Sequence, residues 1–435
     1  MSHQSSEASL SYLNLPHKSQ LLVLAICRFA EPVASTSIYP YLYYMIRSYD
    51  VAPERIPFIA GLVSASFNFG QFLTGVLWGQ LSDKYGRKPM LLCGLIGTMI
   101  TSLSFGFSTT LWMVILSRTA SGLLNGNVGV LRTMVAELVR EKEYQARAFT
   151  IMPMVFNIGS VIGPMIGGWL AEPSEKYGWT IWESYPYALP NVVATVFLAF
   201  SLAAGIFFLD ETLELTEMKD STQYVALGDE EDLQSIVERP GIPSLFNWQI
   251  MHPMIAYTIG CFHNTIFEQL FPVYLSTPRP VGLALSTNQV GFALTVVGLL
   301  SIIFQLLVFP PVVARIGTIK ALRYCLLPSP ITYSLIPILP KMQWYWLGIL
   351  FLFSLQMIMR TFAFPSYNIL ITNSAPAHGL GITNGVSQAA ASLARCTGPL
   401  IAGAVFGNVG GGMWFGVAGL GVIAVVQSWF VKEPP

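Results

Sequence analysis

Apolar residues in this chain run in long stretches separated by short polar breaks. A helix needs roughly 20 mostly apolar residues to cross a bilayer core. Stretches of about that length stand at 20–44, 57–79, 89–108, 110–134, 147–170, 187–209, 250–275, 287–311, 318–339, 344–366, 380–406 and 411–431. The pattern predicts an all-α polytopic membrane protein with about twelve transmembrane helices. The division it suggests is a tail over 1–19, a six-helix bundle over 20–209, a linker over 210–248, a second six-helix bundle over 249–431 and a short tail over 432–435.

Composition agrees. Of 435 residues, 53% are hydrophobic and only 11% charged, and the mean hydropathy is +0.57, so most of the chain belongs in lipid. The net charge of +0 offers no bulk attraction to nucleic acid. Cys27, Cys93, Cys261, Cys325 and Cys396 stand singly in or beside apolar stretches and read as small hydrophobes; no metal-ligand spacing is present, and no cofactor is expected. The first stretch carries Arg28 and Glu31 and lacks the short apolar core and small-residue cleavage site of a secretory peptide, so it is expected to stay.

Basic residues set orientation. With both ends on one side, that side gathers Lys18, Lys84, Arg87, Lys88, Arg140, Lys142, Arg147, Lys219, Arg239, Arg315, Lys320, Arg323 and Lys432, against Arg47, Arg55, Lys176, Arg279 and Lys341 on the other. Both termini are therefore expected in the cytoplasm. Between spans six and seven lies an acidic run, including Asp229, Glu230, Glu231 and Asp232, too polar to fold alone and read as a flexible cytoplasmic linker. The two halves repeat. Gly163-Pro164 and Gly168 return 235 residues later as Gly398-Pro399 and Gly403, and Arg118-Thr119 return 242 residues later as Arg360-Thr361. Such repeats build two bundles that rock about a site at the membrane midplane.

After the second span stands Trp78-Gly79-Gln80-Leu81-Ser82-Asp83-Lys84-Tyr85-Gly86-Arg87-Lys88-Pro89. This resembles the hallmark loop of the major facilitator superfamily, GxLxDxxGRR or GRK, at every fixed position. Gly79 and Gly86 permit close approach and a tight turn, and Asp83 can accept from a helix N-terminus or pair with a base. The resemblance implies that Asp83 and Arg87, beside Lys88 and with Glu137 as a third member, latch the bundles on the cytoplasmic side in the outward-facing state. The matching second-half segment keeps Gly317 but has Ala314 in place of Asp83, so the latch is expected to be one-sided. The sugar-porter signature after the sixth span is absent, with Leu209-Asp210-Glu211-Thr212 there instead.

In the fifth span, Gly159, Gly163, Pro164, Gly167 and Gly168 resemble the GxxxGPxxGG motif of the antiporter branches. Glycines four apart let a neighbouring helix pack closely, and Pro164 removes a backbone donor and bends the helix. Together the motifs look like those of the drug:proton antiporter and zinc-induced facilitator-like branches. The cysteine and histidine motifs of the plant zinc-induced facilitators are not evident, which speaks against metal transport.

Charge at the bilayer centre costs at least roughly 2.5 to 3.5 kcal/mol per residue, so such residues mark function. The first span offers Arg28 and Glu31 on one face, and the seventh offers His263, Asn264 and Glu268. The resemblance implies that these two spans line the cavity. Glu31 and Glu268 are then the proton-carrying candidates, since a carboxyl group whose access to water changes can load and release a proton. Arg28 with Glu31 reads equally as a static pair, whereas Glu268 has no base near it in sequence. Arg118 loosely matches the family's RxxQG helix motif, with Ser121 for glutamine, and either partners Glu31 or reaches toward the interface. Asn125, Asn127, Asn157, Gln305, Tyr367, Asn368, Asn384 and Gln388 are further candidate linings.

With no phosphate loop and no nucleophile and base arrangement, an enzyme is not expected. The expected function is proton-coupled export of a small, largely apolar organic molecule, such as a drug or secondary metabolite, by a monomer in the plasma membrane rather than the vacuolar membrane. Rivals are a carrier of metal chelates, organic anions or nutrients by symport, and a membrane sensor that does not transport.

Overall fold

A computed structural model describes residues 15–139, 142–213, 247–374 and 380–432. Most of the linker and the ends of both tails lie outside the described residues. Spans one to six are built from Lys18–Thr36, Ile56–Tyr85, Arg87–Gly106, Leu111–Leu123 continued by Asn127–Leu138, Lys142–Leu170 and Ala188–Phe208. Spans seven to twelve are built from Trp248–Ser276, Thr287–Ile303 with its continuation to Ile316, Thr318–Leu326 continued through Ser329–Leu335, Tyr345–Ser374, Leu380–Val409 and Met413–Phe430. No strand occurs among the described residues.

Seven described segments are long and apolar enough to cross a membrane on that criterion alone, and one of them, Val386–Phe430, takes in the eleventh and twelfth spans together. The spans that fall short are the first, fourth, seventh and ninth. The first and seventh carry Arg28, Glu31, His263, Asn264 and Glu268; the fourth breaks at Leu124–Gly126 and the ninth at Leu327–Pro328. The shortfall therefore marks helices that keep polar groups or breaks inside the bundle, where lipid does not set their composition.

Glycines decide how the two halves meet. A methyl added at Gly61 in the second span would sit 2.2 Å from the carbonyl oxygen of Pro399 in the eleventh, and one at Gly403 would sit 2.5 Å from that of Pro57. In the other seam, a methyl at Gly168 in the fifth span would come within 2.8 Å of Gly291 Cα in the eighth. These approaches lie in the half of the bundle remote from the GRK turn, here termed the far end. At Gly75 and Gly79, nearer that turn, an added methyl meets nothing within 4 Å. The seam is thus shut at the far end and looser toward the linker end.

Candidate functional site

The fifth-span motif works on two faces. Gly159, Gly163 and Gly167 take Pro32, Thr36 and Ser37 of the first span against their bare backbones, while Gly168 faces the other half. Pro164 lies within the helix, which continues unbroken to Leu170.

At the linker end, Gly86 turns the chain with φ of +103°, a conformation that favours glycine. Arg87 pairs with Asp83 through Nη1, donates to Ser82 Oγ at 2.8 Å, and meets Glu137 Oε1 at 3.1 Å. All of these partners belong to the first half. The group at the N-terminus of the third span is Glu211 rather than Asp83: its carboxylate accepts from the backbone N–H of Arg87 at 2.8 Å and of Lys88 at 3.1 Å. Thr212 donates to Glu137 Oε2 at 2.5 Å. Lys88 points its Nζ to the Ile206 carbonyl, 3.1 Å away. The sequence marks Glu211 and Thr212 only as the start of an acidic run, and nothing local ties them to the turn over a hundred residues upstream.

Each bundle holds a polar cavity, at positions matched by the repeat. The one in the first half is lined by Glu31, Phe67, Thr98, Thr101, Ser117, Arg118, Ser121, Asn125 and Asn191 among others. Glu31 is fully engaged, paired with Arg28 and accepting from Asn125 Nδ2 at 2.6 Å. Arg118 shares the cavity but does not bond Glu31. Its guanidinium lies 4.6 Å over the Phe67 ring, with Nε lacking a partner among the described residues. It is buried, and so does not reach out toward the interface.

The cavity of the second half is lined by Gly260, His263, Asn264, Ser329, Gln356, Arg360 and Tyr367 among others. Gln356 Nε2 donates to Tyr333 Oη at 2.5 Å, and His263 Nδ1 lies 2.8 Å from the same oxygen. His263 Nε2, Asn264 Oδ1, Gln356 Oε1 and Tyr367 Oη have no partner among the described residues.

Glu268 does have a base beside it, from the tenth span: Arg360, 92 residues on. Their side chains are 21% and 29% exposed, Glu268 and Arg360 respectively, whereas Arg28 and Glu31 are 11% and 9% exposed. Next to Glu268, Gln269 Nε2 donates to Tyr39 Oη at 3.0 Å and its Oε1 accepts from Ser64 at 2.7 Å, so the seventh span is tied to the first and second across the seam. Asn157 and Gln305 bond each other across the seam. Asn127 packs at Gly94, Gln388 reaches Tyr257 at 3.4 Å, and Asn368 is exposed and bonds its own helix. The side chain of Asn384 lies outside the described residues. Among the described residues no group of His, Cys, Asp and Glu is placed to hold a metal.

A family model described as Major Facilitator Superfamily matches residues 24–282. The multidrug transporter mfsB of Aspergillus fumigatus is 36% identical, over 95% of this chain and 83% of that protein. ZINC INDUCED FACILITATOR-LIKE 1 of Arabidopsis thaliana is 31% identical, over 88% of this chain and 82% of its own. Among solved structures, a D-xylose-proton symporter shares the fold at a TM-score of 0.76, with 16% identity and coverage of 97% and 99% of the two chains.

Proposed function

The chain belongs to the major facilitator superfamily, and from that premise we propose that it exports a small organic molecule in exchange for protons, with Glu268 as the proton-carrying group. The observation that carries this reading is the Glu268–Arg360 pair, part exposed and next in sequence to Gln269, which bonds Tyr39 and Ser64 across the seam where the two bundles must separate and rejoin. Ionised, Glu268 is neutralised by Arg360; protonated, it leaves a guanidinium uncompensated in a low-dielectric setting, so the proton changes the energy of the seam. A cargo that needs the ionised carboxylate and a proton that removes it exclude one another, which is the condition for exchange. Glu31 suits this role less well, being enclosed and bonded by both Arg28 and Asn125. We assign it to holding the first bundle.

Export is supported by the Aspergillus relative, named a multidrug transporter. The far-end contacts fit one extreme of a rocking cycle, with the cavity opening toward the linker end; the excess of basic residues on that side supports reading it as cytoplasmic. Asp83, Arg87 and Glu137, joined by Glu211, would then form the gate at that end, with 20–209 and 249–431 as the rocking bundles and 210–248 as their tether.

The test is the purified full chain in vesicles carrying an internal pH dye, with a panel of lipophilic dyes as cargo. Glu268→Gln should abolish movement driven by an imposed pH difference while dye-for-dye exchange persists, and Glu31→Gln should lower protein yield rather than coupling. Proton-driven movement by Glu268→Gln at the wild-type rate would remove Glu268 from the mechanism.

A further inference from the structure

At the far end a short helix, Pro173–Tyr177, lies in the loop between the fifth and sixth spans. From it Lys176 Nζ donates to Thr287 Oγ1 at 2.6 Å and to the Gly168 carbonyl at 2.9 Å. Thr287 opens the eighth span and belongs to the other half. Its hydroxyl in turn approaches Glu172 Oε2 at 3.4 Å, and Glu172 Oε1 accepts from Tyr187 at 3.2 Å. A hydroxyl has one hydrogen to give and lone pairs to receive, so the chain runs in one sense. The ammonium gives to the hydroxyl, and the hydroxyl gives to the carboxylate.

Thr287 is thus gripped between opposite charges four residues apart on the first half. It is also 1% exposed, so no water competes for it. The bare backbones of Gly168 and Gly291 bring the eighth span close enough for the grip. The two loops that lead into this contact each hold left-handed backbone at a residue other than glycine, Glu172 with φ of +59° and Ala284 with φ of +55°. Such strain persists only where the surroundings hold it and collects at sites that switch.

We propose that Lys176 and Glu172 form a two-charge clasp on Thr287, and that release of this hydroxyl is the step that lets the cavity open at the far end. The clasp needs no cargo and acts apart from Glu268, so it stands or falls independently of the coupling reading. Loss of hydrogen bonds to charged partners shifts an equilibrium by about tenfold or more.

The experiment uses the full chain in detergent, its five cysteines replaced, with spin labels on Thr180→Cys and Asn288→Cys, two exposed positions on either side of the clasp. Pulsed measurement of the label distance reports the ratio of open to shut far ends. Thr287→Val removes both hydrogen bonds at constant shape and should raise that ratio about tenfold or more, while Thr287→Ser should match the parent. Lys176→Met, at a part-exposed position, should raise it too, and serves if Thr287→Val does not fold. Thermal melting identifies the folded variants. A folded Thr287→Val or Lys176→Met with the parent's distance distribution overturns the proposal, as does a Thr287→Ser that behaves like Thr287→Val.

Discussion

Gly61→Ala tests whether close backbone packing holds the far end shut. The added methyl would lie 2.2 Å from the Pro399 carbonyl oxygen and 2.9 Å from its carbon, whereas ordinary contact begins at 3.4 Å. The shortfall is against backbone on a helix that is itself packed on the seventh span through Gly398, so no side chain can swing aside. The halves must part by about 1 Å at that level. Overpacking of this kind costs typically 1–3 kcal/mol, and here the penalty falls on the shut arrangement alone. The open-to-shut ratio at the far end should therefore rise by about 5- to 150-fold, read from the same Thr180 and Asn288 label pair. Gly75→Ala is the control, since a methyl there meets nothing within 4 Å; it gains helix propensity without any change in the seam. If Gly61→Ala and Gly75→Ala give the same distance distribution, the glycine seam is not what sets the far end.

Tyr333→Phe should lower thermal stability by about 2–4 kcal/mol, because it leaves both His263 Nδ1 and Gln356 Nε2 buried without a partner. Unchanged melting would show that the second-half cavity supplies other partners.

The twelve apolar stretches lie on the helices found, because lipid imposes one rule on every span and that rule is written in composition. The GRK turn and the paired Gly-Pro motifs were equally legible, since glycine and proline act through local backbone. What could not be read was partnership across helices. Glu268 looked unaccompanied because its base sits three spans away, although the repeat had already marked Arg360 as the twin of Arg118. Glu211 looked like one more acid in a run, yet it seats itself where Gly86 has no side chain. Arg118 and Glu31 looked like natural partners, but Arg28 and Asn125 reach the carboxylate first. Each miss concerns a side chain whose meaning depends on which neighbour arrives, and sequence spacing carries no record of that.

The break in the fourth span has a mechanical side. Where Leu111–Leu123 gives way to Asn127–Leu138, the carbonyl of Leu123 accepts from Trp78 Nε1 at 2.8 Å and from Thr74 Oγ1 at 2.9 Å, both on the second span, and the Trp78 ring rests on Gly126. The lower piece of the fourth span, which carries Glu137, is riveted at its elbow to the helix that ends in the GRK turn. A tilt of that helix would sweep Glu137 and Arg87 along as one lever arm, so the turn would keep its ion pairs throughout a stroke instead of breaking and remaking them.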